Sequence, residues 1–513
     1  MEKTLLFEAF SSLSTAELRE FGKFVRSPFF NTRPQLVALY DYLVECREKE
    51  MAPVAEMAYA AIHPTPDPSP NGRGGVTSNV AFGATSPLPL GEGSGVGWNQ
   101  KLRLANSALF ALLEHYWMYR EKFDDPDRAR IRLAAAYRKR NLDKHFQIAL
   151  REARQSRERL PWRHADFFHD MSLLEWEQYQ YETSTRRTES LNLQAPSDHM
   201  DTAFVSRKLR LACLALSHQA VFKTEYRIGL LAPVLEHVES ARLMDIPAVG
   251  LYYYCYKFLA DVSPDEHFDR FRSMLPLHAS ALPPDELRTL HLLAINFGIK
   301  KINESSAGWL QATLDLYKSA LERDLMLENG VLSRFAFNNI AAIALRLGEL
   351  DWAESFVLRY KPHLERHWRE ATAGLNLARI AYARRDYKTA LLNLQRSDYK
   401  DLINNLIAKT LQLKIYYETS EYDLLESHLA SMKNFIRRHT AIGYHRTNYS
   451  HIVQYTGQLM ALNFNNPKAV AELRAQIERE EILTEKEWLL EMAGQELEAR
   501  PRGGGGSRGG ASR

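Results

Sequence analysis

Along most of the chain apolar residues recur at steps of three and four, the spacing that gathers them on one side of an α-helix. Leu102, Ala105, Leu109, Leu112, Leu113 and Tyr116 make one such stripe. From Gln100 onward, helical stretches of 12 to 25 residues follow one another with short breaks, so the pattern predicts an all-α chain. The helix starts are legible. Ser14-Thr15-Ala16-Glu17 has the form of a capping box, and the helix it opens carries Leu18, Phe21, Phe24 and Val25 before Ser27-Pro28 stops it. Asn31 or Thr32 then caps a helix through Leu36, Leu39, Tyr40 and Leu43. The corner between them, Ser27-Pro28-Phe29-Phe30-Asn31, reads either as an aromatic-anchored turn or as a recognition loop.

Asp124-Asp125-Pro126 ends one helix and starts another through Ile131 and Tyr137; 141–160 and 162–181 follow. The aromatic residues of that last stretch, Trp162, Phe167, Phe168, Trp176, Tyr179 and Tyr181, suit either helix packing or base stacking. Three later couples each read as helix, short turn, helix: 204–222 with 226–243, 248–260 with 264–275, and 284–302 with 307–327. Ser263-Pro264-Asp265-Glu266 and Pro283-Pro284-Asp285-Glu286 place proline and acids in a first turn, where free amides and the helix dipole favour them.

Two stretches interrupt the helices. Residues 63–98 hold eight of the 25 glycines and six of the 21 prolines, a composition that predicts a disordered insert lengthening one inter-helix loop. Its SPLPLGEGSGVG end resembles the Pro/Gly/Ser-rich elements translated within some bacterial genes; the functional alternative is a loop for a polyproline-reading partner. Residues 183–200 read as a linker.

Between 331 and 397 the pattern repeats. Ala341, Ala344, Leu350 and Ala353 fall on Ala378, Ala381, Tyr387 and Ala390 at a constant offset of 37 residues. A looser third unit has Glu421-Tyr422 at its turn, with Leu413 and Leu425 where alanines would be expected. Small residues at the helix crossings and the turns Gly348-Glu349-Leu350 and Arg385-Asp386-Tyr387 resemble the tetratricopeptide repeat family. The resemblance implies a right-handed solenoid of antiparallel helix pairs, here preceded by an N-terminal helical unit. It also implies that first helices line a concave face, where Asn338, Arg379, Tyr382, Lys414 and Tyr417 would meet a peptide of acidic character. Separately, LREFGKFVRSPFFN followed by LYDYL is similar to the N-terminal part of a group of helical proteins from Bacteroidetes-type bacteria; that likeness implies no activity.

The expected organisation is therefore an N-terminal helical unit (1–62), the insert (63–98), a first part of the array (99–182), the linker (183–200), degenerate helix pairs (201–330), tetratricopeptide-like units (331–438), a C-terminal helical cap (439–500) and a disordered Gly/Arg tail (501–513).

Charge and candidate chemistry change this little. The net charge of +3 is carried by the tail: without Arg502, Arg508 and Arg513 the 66 basic and 63 acidic residues balance, leaving no global basic field. Cys46, Cys213 and Cys255 lack metal or redox spacing and read as thiols of a reducing compartment. With no signal-peptide pattern and no apolar run near the ~20 residues a bilayer requires, the chain reads as cytoplasmic and unattached to membrane. His363 and His367 stand four apart on an expected helix with Glu370 nearby, but no third ligand is placed, so no metal is expected. Gly-rich phosphate loops and a nucleophile elbow are also missing, and no cofactor or catalytic residue is expected. The expected function is a non-enzymatic scaffold binding a protein or peptide. The alternative is an RNA-binding helical repeat, suggested by Arg128 to Arg140 and by the tail.

Overall fold

A computed structural model describes residues 4–63, 95–185, 190–304, 308–395, 402–439 and 445–494, with side chains from 99 onward in the second stretch. Of the expected insert, 63–98, residues 64–94 lie outside the described residues, as does the Gly/Arg tail, while 95–98 are helical. The fold is all-α apart from one two-stranded hairpin among the described residues. The chain divides into two compact units, Met1–Pro161 with Asp166–Ala203, and Trp162–Ala165 with Phe204–Arg513.

In the first unit, α1 (Leu5–Ser12), α2 (Thr15–Arg26), α3 (Pro34–Glu48), α4 (Ala55–Ile62) and α5 (Gly95–Phe123) share one core. The stripe read from sequence is inside: Leu109 and Leu113 are fully enclosed, each worth about 1.5–3 kcal/mol relative to exposure. Phe21 packs edge-on to Tyr40, whose hydroxyl donates to the Leu18 carbonyl at 2.6 Å. The capping box is complete, with Ser14 N donating to Glu17 Oε2 at 2.7 Å and Glu17 N to Ser14 Oγ at 3.3 Å. Hydrogen bonding of the Glu17 carboxylate to the Ser14 side chain, and then to the Ser14 amide, lowers the Glu17 pKa. Ser14→Ala is expected to destabilise this unit by about 1 kcal/mol, read as a lower urea midpoint at unchanged slope; an unchanged midpoint would mean the cap is idle. At the Phe29 corner, Phe30 stacks on Phe24 at 3.9 Å and Asn31 Nδ2 donates to the Val25 carbonyl at 2.8 Å, while Phe29 stays exposed.

The same unit contains α6 (Pro126–Arg138), α7 (Asp143–Arg159) and nearly all of α8 (Ala165–Thr185) around a smaller core. Asp170, almost fully buried, is held by Arg128 Nε at 3.0 Å and Arg157 Nη2 at 2.9 Å. The arginine-rich run is thus largely engaged: Arg130 pairs with Asp127, Arg138 with Glu177 at 2.8 Å, and Arg140 donates to the Ala136 carbonyl.

Helix α9 (Gln194–Phe222) begins inside the expected linker, because Asn192 Oδ1 accepts the Ala195 amide and starts the helix there. The unit boundary falls within it. In the second unit follow α10 (Leu231–Ser240), α11 (Pro247–Leu259), α12 (Pro264–His278), α13 (Pro284–Asn303), α14 (Trp309–Glu322), the hairpin β1 (Leu327–Glu328) and β2 (Val331–Leu332), α15 (Arg334–Arg346), α16 (Leu350–Tyr360), α17 (Arg369–Ala383), α18 (Tyr387–Gln395), α19 (Leu402–Glu418), α20 (Tyr422–Arg438), α21 (His445–Ala461), α22 (Pro467–Arg479) and α23 (Lys486–Gly494). Helix α10 is shorter than the expected 226–243, since Leu230 enters it in the left-handed conformation and the segment before it makes no helix. The hairpin replaces the end of the helix expected to reach Leu327. Asn329 and Gly330, both at positive φ, form the two-residue turn that an Asn-Gly pair favours.

Consecutive helices pair by packing: α11 with α12, α13 with α14, α15 with α16, α17 with α18, and α19 with α20. The alanines expected at the crossings, Ala341, Ala344, Ala353, Ala378 and Ala390, are all fully enclosed. Three of the first helices end alike. Gly348, Arg385 and Ser420 take φ of 75°, 59° and 62°, and the next amide in each returns to a carbonyl five residues back at 2.9 Å: Glu349 to Ala344, Asp386 to Ala381, Glu421 to Tyr416. The same closure recurs where the sequence repeat fades, at Asn141 with Leu142 donating to Tyr137 and at Asp261 with Val262 donating to Lys257.

Candidate functional site

The first helices of successive pairs, α13, α15, α17 and α19, carry the candidate site. Helix α13 presents Arg288, Leu292, Asn296 and Ile299 at steps of four, four and three, hence on one side. Helix α15 answers with Phe335 and Asn339, and the hairpin contributes Glu328 and Val331. Together they enclose a groove of ≈ 250 Å³. The hairpin, which lies between α14 and α15 in the chain, forms part of its wall. Arg288 is fixed across it, donating from Nε to the Leu325 carbonyl at 2.9 Å and pairing with Glu328. Phe335 is 67% exposed, with the Arg334 guanidinium 4.9 Å from its ring. Asn296 and Asn339 are exposed amides, and Asn339 also bonds the Tyr317 phenol beneath. An exposed aromatic ring lining a groove with amides, which both donate and accept, suits peptide backbone.

The five residues expected at a partner surface fall in two places. Asn338, half-buried on α15, accepts from Asn376 Nδ2 at 2.7 Å, so amides continue from α15 to α17. Arg379 on α17 lies beside Tyr449 of α21. Tyr382 on α17, with Lys414 and Tyr417 on α19, gathers around the segment at α23. Glu418 is the hub: the Tyr382 hydroxyl donates to Oε1, the Tyr387 hydroxyl to Oε2 at 2.6 Å, and the Trp488 indole to Oε1 at 2.7 Å. Lys414 pairs with Glu485 at 2.7 Å and lies over the Tyr382 and Trp488 rings at 4.7 and 5.6 Å. Tyr417, buried, meets Trp488 edge-on at 5.6 Å. Sequence reasoning missed Arg288, Asn296, Phe335 and Asn339, though their helical spacing was available; Glu418, Glu485 and Trp488 carried no local signal.

Burial and the Glu418 charge push the Tyr387 phenol up to about 12; burial alone does most of the same for Tyr449 and Tyr317, each to about 12. Such phenols keep their protons in the folded chain while the unfolded chain, near the ordinary 10.0, loses them. Stability is therefore full below pH 10 and is expected to fall as pH climbs from 10 towards 12. Absorbance at 295 nm should show a class of tyrosines that ionises only with unfolding; complete ionisation of a still-helical chain near pH 10 would contradict this.

Other expected features are placed as follows. His363 sits in a 3-10 turn with Nδ1 against the Gly330 carbonyl at 3.0 Å, whereas His367 precedes α17, so the two are not on one helix. No group of three or more His, Cys, Asp or Glu able to hold a metal occurs among the described residues. No helix among them is long and apolar enough to cross a membrane. Cys46, Cys213 and Cys255 are buried thiols. Comparisons with family models, with curated proteins and with solved structures found no match.

Proposed function

We propose that the chain is a non-enzymatic, tetratricopeptide-like scaffold, a right-handed solenoid of antiparallel helix pairs over its repeated part, that binds a protein or peptide segment along its first helices. The observation that carries this reading is the groove between α13 and α15, lined by an exposed Phe335 and by the Asn296 and Asn339 amides. The surface continues through Asn338 to Asn376 on α17. The RNA-binding alternative draws less support, because Arg128, Arg130 and Arg138 are matched by neighbouring carboxylates.

The test is selection of binders from a displayed library of random peptides on the full chain. Selected peptides are expected to lose at least tenfold in affinity on Phe335→Glu and on Asn296→Ala, and to ignore Leu358→Ala on the second helix α16. Absence of saturable binders, or binders indifferent to the first-helix substitutions, would defeat the proposal.

A further inference from the structure

The cluster around Glu418 adjoins the core shared by α19 to α23 and has the mixed charged and aromatic composition of an interface. Its receptor half is supplied by α17, α18 and α19: Tyr382 and Tyr387 both donate to Glu418, and Lys414, whose side chain is only 12% exposed, stands over the Tyr382 ring. Its other half comes from about 70 residues further on, as Glu485 and Trp488. Each side supplies what the other lacks. The cation Lys414 meets the anion Glu485, and the anion Glu418 meets the indole N–H of Trp488. A buried aromatic anchor beside charge-assisted bonds is the arrangement that carries binding energy at protein interfaces.

The arriving segment is also built like a ligand. The nine described residues of α23 are too few to stay helical alone in water; the helix packs chiefly on α22 and α21, and its Trp488 reaches Tyr417 and Glu418 of α19. Glu485 joins it in the left-handed conformation, φ 55°, a hinge at the very residue that reaches Lys414. Leu489 and Met492, four and seven residues after Glu485, are buried in the core shared with α19 to α22.

We propose that the α17–α19 face is a receptor for an amphipathic acidic–aromatic helix, one bearing a carboxylate three residues ahead of a tryptophan-like ring, and that Glu485–Ala493 is its resident self-ligand. A partner helix of this chemistry displaces the chain's own segment. The inference rests on the reading of the first helices as a binding surface, and it gives that surface a partner chemistry and a competitor.

The test uses the full chain and a fluorescein-labelled peptide of residues 482–494. In a released variant, Glu485→Ala with Trp488→Ala, the peptide is expected to bind at least tenfold more tightly than in the unsubstituted chain. Adding Lys414→Glu should abolish that binding, and a peptide carrying Glu485→Lys should restore it. A released variant that keeps its helical circular dichroism but shows no saturable binding, equal binding by both chains, or indifference to Lys414 would overturn the proposal. Should the released variant lose its helical signal, Glu485→Gln with Trp488→Phe replaces it; the expected gain is then about threefold, and no gain overturns the proposal. Phe335→Glu is expected to leave this peptide unaffected, so failure here and failure of the α13–α15 groove are read separately.

Discussion

Gly298→Ala is expected to destabilise the chain by about 1–3 kcal/mol, although alanine normally gains about 1 kcal/mol over glycine inside a helix. The sign reverses because α13 and α14 cross closely there. A Cβ on Gly298 would lie 2.2 Å from Thr313 Oγ1 and 3.3 Å from its Cβ and Cγ2. Thr313 cannot swing away: it is β-branched, fully buried, and its hydroxyl donates to the Trp309 carbonyl at 2.7 Å. The double-mutant cycle isolates the cause. In a Thr313→Ala background, Gly298→Ala should cost nothing or stabilise, giving a coupling of about 1–3 kcal/mol. Additive effects in urea unfolding would show that the crossing is not the limiting contact.

The second large effect is expected at Glu418. Replacing it with alanine strands three donors, the Tyr382 and Tyr387 hydroxyls and the Trp488 indole. An unsatisfied buried donor costs about 1–3 kcal/mol, and these are partly reachable by water, so a total of about 2–3 kcal/mol is expected. Glu418→Gln keeps one acceptor oxygen but turns an amide towards a donor, so it should lie between the two. Tryptophan emission provides an independent readout: Trp488 is buried, and Glu418→Ala should shift its emission to the red. Unchanged stability and emission would mean that the hub is incidental.

How much of this was legible in the sequence depended on the range of the interaction. The α2 capping box, the proline-led starts of α12 and α13, and the enclosed alanines of α15 to α18 are local or strictly repeated, and the sequence displays them. The closing turn of the first helices is equally regular, yet it is made by Gly348, Arg385, Ser420, Asn141 and Asp261. No residue type marks it, because the hydrogen bonds are backbone to backbone. The hairpin was announced by Asn329-Gly330, but apolar spacing extended the helix reading to Leu327, its first residue. The α13–α15 groove depends on that hairpin, so missing one hid the other. Tyr382, Lys414 and Tyr417 were chosen for their helix face. What faces them, Glu485 and Trp488, lies 65 or more residues along, and nothing local relates a lysine to a glutamate at that distance.

The central claim is that the first helices form the binding surface. Hydrogen–deuterium exchange of the full chain, with and without a saturating library-selected peptide, tests it most directly. Slowed exchange is expected in α13, α15 and the 327–332 hairpin, with α14 and α16 unchanged. Protection confined to α14 and α16, or none at saturation, would contradict it.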